Sequence, residues 1–92
     1  MIKSVSVGAT STAVLDPDSH RQRVYLVNIS NERIDISPGG LAEAGAGISL
    51  GANGGSFTDE PDAKGYIYKG LYTAICASGA KILAVTELYD NK

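Results

Sequence analysis

The chain has one cysteine, one histidine and no tryptophan in 92 residues, and no long apolar run. Each scarcity excludes something. A lone cysteine, Cys76, forms no internal disulfide, so the domain is not a stapled secreted scaffold. One histidine, His20, with one cysteine far along the chain is poor material for a zinc site. No stretch approaches the roughly 20 apolar residues of a transmembrane helix. The N-terminal "MIKSVSVGATS" also lacks the apolar centre of a signal peptide, so the expected place of synthesis is a reducing cytoplasm, with no membrane partner. Helix periodicity is missing too. No long window puts apolar residues at i, i+3, i+4 and i+7. "LAEAGA" (residues 41–46) has the only helix-like composition, and glycines confine it to one turn at most.

Charge is equally sparse. Charged residues make up 20% of the chain and the formal net charge is -2. Lysines and arginines are dispersed and aromatics do not interleave with them, so no nucleic-acid platform is expected. A chain this short is one domain over residues 1–92, with a thin core that association would help to stabilise.

What is present is strand signal. "IKSVSV" (2–7) and "STAVL" (11–15) are β-prone and separated by Gly8. "DPDS" (16–19) is a turn, because proline presets φ and aspartates bond their own backbone. "RVYLVNIS" (23–30) is rich in β-branched and aromatic residues. "RIDIS" (33–37) alternates, with Ile34 and Ile36 on one side and Asp35 and Ser37 on the other, the pattern of a strand with one wet face. "GISL" (47–50) and "GGSFT" (54–58) add short strands, and "DEPDAKG" (59–65) is a loop. "YIYKGLYTAICA" (66–77) reads as strand, Gly70 kink, strand, and "KILAVTELY" (81–89) closes the set. The expected fold is all-β: a small antiparallel β-sandwich or barrel-like jelly roll of about eight short strands.

Most of the eleven glycines fall in "SPGGLAEAGAGISLGANGGS" (37–56). A phosphate-cradling loop needs glycines between a strand and a helix N-terminus. Here they lie between strands, and "AGAGISLG" has Leu50 where a dinucleotide fingerprint needs its third glycine. A linker has no use for Ile48, Leu50 and Phe57 at strand-like spacing. The glycines are read as turn residues supplying positive φ between strands.

Catalytic chemistry has no constellation. His20 lies in the polar "DSHRQR", and Cys76 reads as a small buried apolar residue. The acidic "TDEPDAKG" lacks the spaced ligands of an EF-hand. No catalytic residue, cofactor or metal is expected.

Several elements recur in one order. A "V-x-V-x-x-x-x-T" start leads to "R-x-Y-L-x-N-x-S", a strand ending in a glycine pair, "G-I-x-L-x-x-x-G-G", then "A-I-x-A-S-G" and "L-x-V-x-E". This ordered set covers nearly the whole chain and resembles a group of small bacteriophage structural proteins. "DEPDAKGYIYKG" has no counterpart in that group. The resemblance implies a β-sandwich that is an accessory head or tail component of a virion, made in the bacterial host cytoplasm, with no enzymatic role. The leading expectation is a capsid decoration or cement protein that binds and stabilises the assembled head, its partner being the major capsid protein or another virion protein. The alternative is a receptor- or carbohydrate-binding module of a tail or fibre.

Three segments are apolar on both strand parities. These are Tyr25, Val27 and Ile29 against Leu26, Tyr66 and Tyr68 against Ile67, and Ile82 and Ala84 against Leu83 and Val85. A small sandwich has no interior for both sets, so one set needs a partner surface. A homo-oligomer, with a trimer as the first expectation from the resemblance, would use Tyr66, Tyr68, Leu71 and Tyr72. Exposed Tyr66, Tyr68 and Tyr72 around a concave surface would instead favour sugar binding, and a flat apolar patch would favour decoration.

Overall fold

Alternating apolar side chains in short segments leave each strand one side to bury, and two sheets stacked face to face satisfy all of them. The computed structural model describes residues 1–90. Its strands are β1 (Ile2–Val7), β2 (Thr12–Leu15), β3 (Arg21–Asn28), β4 (Ile34–Pro38), β5 (Ile48–Leu50), β6 (Ser56–Asp59), β7 (Tyr72–Ile75) and β8 (Lys81–Tyr89). They form two four-stranded sheets, ordered β1-β8-β3-β6 and β2-β7-β4-β5. Every pairing is antiparallel.

The order has a simple origin. β1 pairs with β8, β2 with β7, β3 with β6 and β4 with β5. The chain is thus one long hairpin, with its tip between β4 and β5, rolled so that successive rungs fall alternately in the two sheets. This is the eight-stranded jelly roll. The core between the sheets is built from Val7, Val24, Leu26, Leu83 and Val85 of the first sheet and Leu15, Ile34, Ile36, Leu50, Tyr72 and Ala74 of the second, all at most 2% exposed. Val5, Ile48 and Phe57 pack around it.

The structure corrects three local expectations. Residues 66–69 are not a strand. The carbonyls of Tyr68, Lys69 and Gly70 are taken instead by Arg21 and by the Asp18 amide, so they cannot join a ladder. β3 runs over residues 21–28, not 23–30. It ends where the Asn28 side chain accepts from the Ser30 amide at 2.9 Å, a turn that competes with further pairing. The outer side of β4 is not wet: Asp35 is 2% exposed.

Asp35 is covered by the glycine-rich tip of the long hairpin. This segment, residues 39–47, folds back over the outside of the second sheet. Asp35 Oδ2 accepts from the Gly45 amide at 2.8 Å and Oδ1 accepts from the Ser49 hydroxyl at 2.5 Å. The Arg33 guanidinium lies 3.2 Å from Oδ1. Thr73 donates to the Gly40 carbonyl at 3.0 Å, and the Ala42 amide donates to Ser11 at 2.9 Å. Gly47 lets the chain re-enter β5. Its φ is +78°, and a Cβ there would press on the Ile36 carbonyl oxygen, so only glycine suits it.

Candidate docking face

The densest polar cluster lies at one end of the sandwich. Arg21, with no exposed surface, donates from Nε to Glu87 at 2.7 Å, from Nη1 to the Tyr68 and Gly70 carbonyls at 3.1 and 2.8 Å, and from Nη2 to the Asp16 carbonyl at 2.7 Å. Its guanidinium stands 5.5 Å from the centre of the Tyr72 ring. Tyr89 donates to the other Glu87 oxygen at 2.6 Å, and Tyr72 donates to Asp59 at 2.8 Å. Burial first, and donation to Asp59 second, push the Tyr72 phenol well above its ordinary value. The hydrogen bond to Glu87 pushes Tyr89 up to about 12. Among the described residues no buried side-chain nitrogen or oxygen lacks a partner. With each of its buried polar atoms partnered by protein, the cluster is a fastener between segments.

The four residues expected at an interface are not brought together on the surface. Tyr66 is 75% exposed and Tyr68 is 39% exposed, whereas Tyr72 is fully buried. Leu71 is half-buried. The Tyr68 ring lies edge-on to Tyr72, with centroids 5.4 Å apart, and its hydroxyl donates to the Leu71 carbonyl at 3.1 Å. That ring fills the space a side chain at Gly70 would need. Tyr68 is therefore a lid on the core edge, and the segment offers a partner little beyond Tyr66. His20 is exposed at the surface and Cys76 is buried, its thiol donating to the Val7 carbonyl at 3.2 Å. Among the described residues there is no concave pocket and no group of three or more His, Cys, Asp or Glu side chains arranged to hold a metal ion.

Leu41, 80% exposed, stands on the glycine-rich tip, and the exposed aliphatic side chains of the strands gather on the outside of the first sheet. Register aligns Ile2, Thr86, Tyr25 and Thr58 in one row across the four strands. Ser4, Ala84, Val27 and Ser56 form the next row. Ile82 and Leu88 share this side of β8, and Ile29 continues the parity of Tyr25 and Val27 just past the end of β3. Ile2, Ile29, Leu88 and Ile82 are 83%, 57%, 46% and 37% exposed. Arg23 is the only charged residue of these strands that faces this side, and it pairs with Glu60 at 3.3 Å. A sheet face open to water ordinarily carries charge. This one carries hydroxyls, methyls and one arginine.

Tyr25, Val27, Ile29, Ile82 and Ala84 were visible in sequence as the second apolar parity of their strands. Ile2 and Leu88 were not, because each stands among polar neighbours and only register joins it to the patch. Comparison of the chain with protein-family models, with curated proteins and with solved structures gave no match.

Proposed function

We propose that this chain is a non-enzymatic accessory protein of a bacteriophage virion that lays the outer face of its first sheet on an assembled protein shell and stabilises it. One observation carries the reading: a sheet face whose one charged strand residue is Arg23 and on which Ile2, Ile29, Ile82 and Leu88 stand exposed. Such a face gains by being covered, at roughly 25 cal/mol per Å² of apolar surface. The phage setting comes from the ordered sequence elements, and the partner is the major capsid protein or another virion protein. Jelly rolls serve as viral capsid domains and as lectins alike, so the fold favours neither reading. The sugar-binding alternative called for three exposed tyrosines around a concavity, and Tyr72 is inside the core.

A protein that binds only the assembled shell stabilises it by mass action, by about 2.7 kcal/mol per site at a hundredfold excess over Kd. The test heats capsids with and without saturating protein and follows rupture by dye access to the genome. Added protein is expected to raise the rupture temperature, and Ile82→Asp, which places a charge in the contact, is expected to abolish the rise while leaving the domain's own melting unchanged. An unchanged rupture temperature with wild-type protein, or protein recovered only on tails, overturns the reading.

A further inference from the structure

Two four-stranded sheets expose four edges, and three of them are blunted. β5 has three residues. β2 breaks register between Ala13 and Leu15. β6 has four residues and runs straight into Asp59, Glu60 and Pro61. Short strands, irregular register, charged side chains and proline are the usual protections of an edge. β1 has one of them, Lys3, and no other. It keeps unbroken register with β8 from Ile2↔Thr86 to Val7↔Lys81 over six residues, with no proline.

The ladder's phase tells which amides β1 leaves open. Met1 and Glu87 exchange both hydrogen bonds, the Met1 amine donating to the Glu87 carbonyl at 2.7 Å and the Glu87 amide to the Met1 carbonyl at 2.8 Å. Hydrogen-bonded pairs alternate along an antiparallel ladder. Lys3, Val5 and Val7 therefore point their backbone groups at β8, and Ile2, Ser4 and Ser6 point theirs outward. The free run stops at Gly8, whose amide donates to Thr12 at 2.9 Å and whose carbonyl accepts from the Cys76 amide at 3.1 Å.

We propose that β1 pairs antiparallel with β1 of a second copy, across a two-fold axis at Val5, making one continuous eight-stranded sheet. In this register Ser4 of each chain exchanges both backbone bonds with Ser6 of the other. The side chains on both sides of that pair are small hydroxyls, so nothing obstructs the approach. Even register keeps like faces together, so the two outer faces, each with Arg23 as its one strand charge, merge into one. The only charge on β1 is Lys3. It lies opposite Val7, and the two copies of Lys3 stand four positions apart, about 13 Å along the strand. That exceeds the screening length of about 8 Å at physiological salt. The pairing is a dimer in place of the expected trimer, and it does not depend on what the outer face binds.

The experiment uses the full chain. Light scattering coupled to size exclusion, over a concentration series, is expected to give the mass of two chains, falling to one on dilution. Amide exchange is expected to protect Ser4 and Ser6 together with Val5 in the dimer, and to release Ser4 and Ser6 alone on dilution. Ser4→Pro removes an outward amide and no bond within the chain, so it is expected to give one-chain mass with unchanged melting. Thr58→Pro is the matched control on the opposite edge. There Asn28 bonds Gly55, which by the same alternation turns the Thr58 amide outward, and the dimer is expected to persist. Mass of one chain or of three at every concentration, a dimer that survives Ser4→Pro, or fast exchange at Ser4 and Ser6 in concentrated wild-type protein overturns the proposal. If Ser4→Pro fails to fold, exchange on the wild-type chain decides.

Discussion

Arg21 and Glu87 meet at 2.7 Å, 66 residues apart in sequence, with their side chains 0% and 4% exposed. The pair ties the start of β3 to the end of β8 where their register shifts. Because Arg21 also holds the carbonyls of Asp16, Tyr68 and Gly70, one side chain fixes two segments that have no ladder of their own at that end.

Removing one partner of a buried pair leaves the other charged and uncompensated, which costs about 3–5 kcal/mol. Glu87→Gln is expected to lower stability by about that amount in urea unfolding, with little change in the slope against denaturant. Arg21→Lys should cost a comparable amount, since an ammonium cannot span the fork of acceptors that the guanidinium serves.

The Asp35 carboxylate holds the glycine-rich tip down through the Gly45 amide and the Ser49 hydroxyl. Asp35→Ala is expected to cost about 1–3 kcal/mol, the usual penalty when buried groups lose their acceptor. Amide exchange at Gly45 should accelerate well before exchange in the β3–β8 ladder, because the tip opens locally while the core stays closed.

Alkali should weaken the fold through two phenols. Tyr89 is held at about 12 by its bond to Glu87, and burial raises Tyr72 further. An unfolded tyrosine ionises near 10. A folded value above the unfolded one means the contribution is fully present below pH ~10 and is lost as pH rises through the folded value. Chemical denaturation at a series of alkaline pH values should show stability falling from about pH 10 upward, and Tyr89→Phe should remove part of that slope. An ultraviolet titration of folded protein should show Tyr72 and Tyr89 ionising late.

The strands were legible in sequence because each follows from local pattern. β1, β2, β4, β5 and β8 fall within a residue of the segments read from alternation. "YIY" misled because its β propensity is real, while the carbonyls that would form its ladder are claimed by Arg21 from 47 and 49 residues away. Asp35 misled for a related reason: alternation marks which side of a strand is polar, and a loop that later covers that side leaves no trace in the strand. The apolar sheet face was half legible. Apolar residues on both parities of β3 and β8 announced a surplus, but cross-strand register alone places Ile2 and Leu88 beside it.

The glycine-rich tip seals one broad side of the molecule and leaves the other bare, so the domain has a front and a back. Its back presents glycine turns, Glu43 and an exposed Leu41, and its front is the sheet whose one strand charge is Arg23. If the proposed docking holds, a seated molecule turns its glycine-rich tip outward, where Leu41 is the large exposed apolar side chain, and coverage would stop at a single layer. Joining two copies through β1 would keep both fronts on the same side, and the monolayer property would survive the pairing. Cutting the hold of Asp35 on the tip would erase the difference between the sides, and stacking into multilayers is the failure that such a variant would be the first to show.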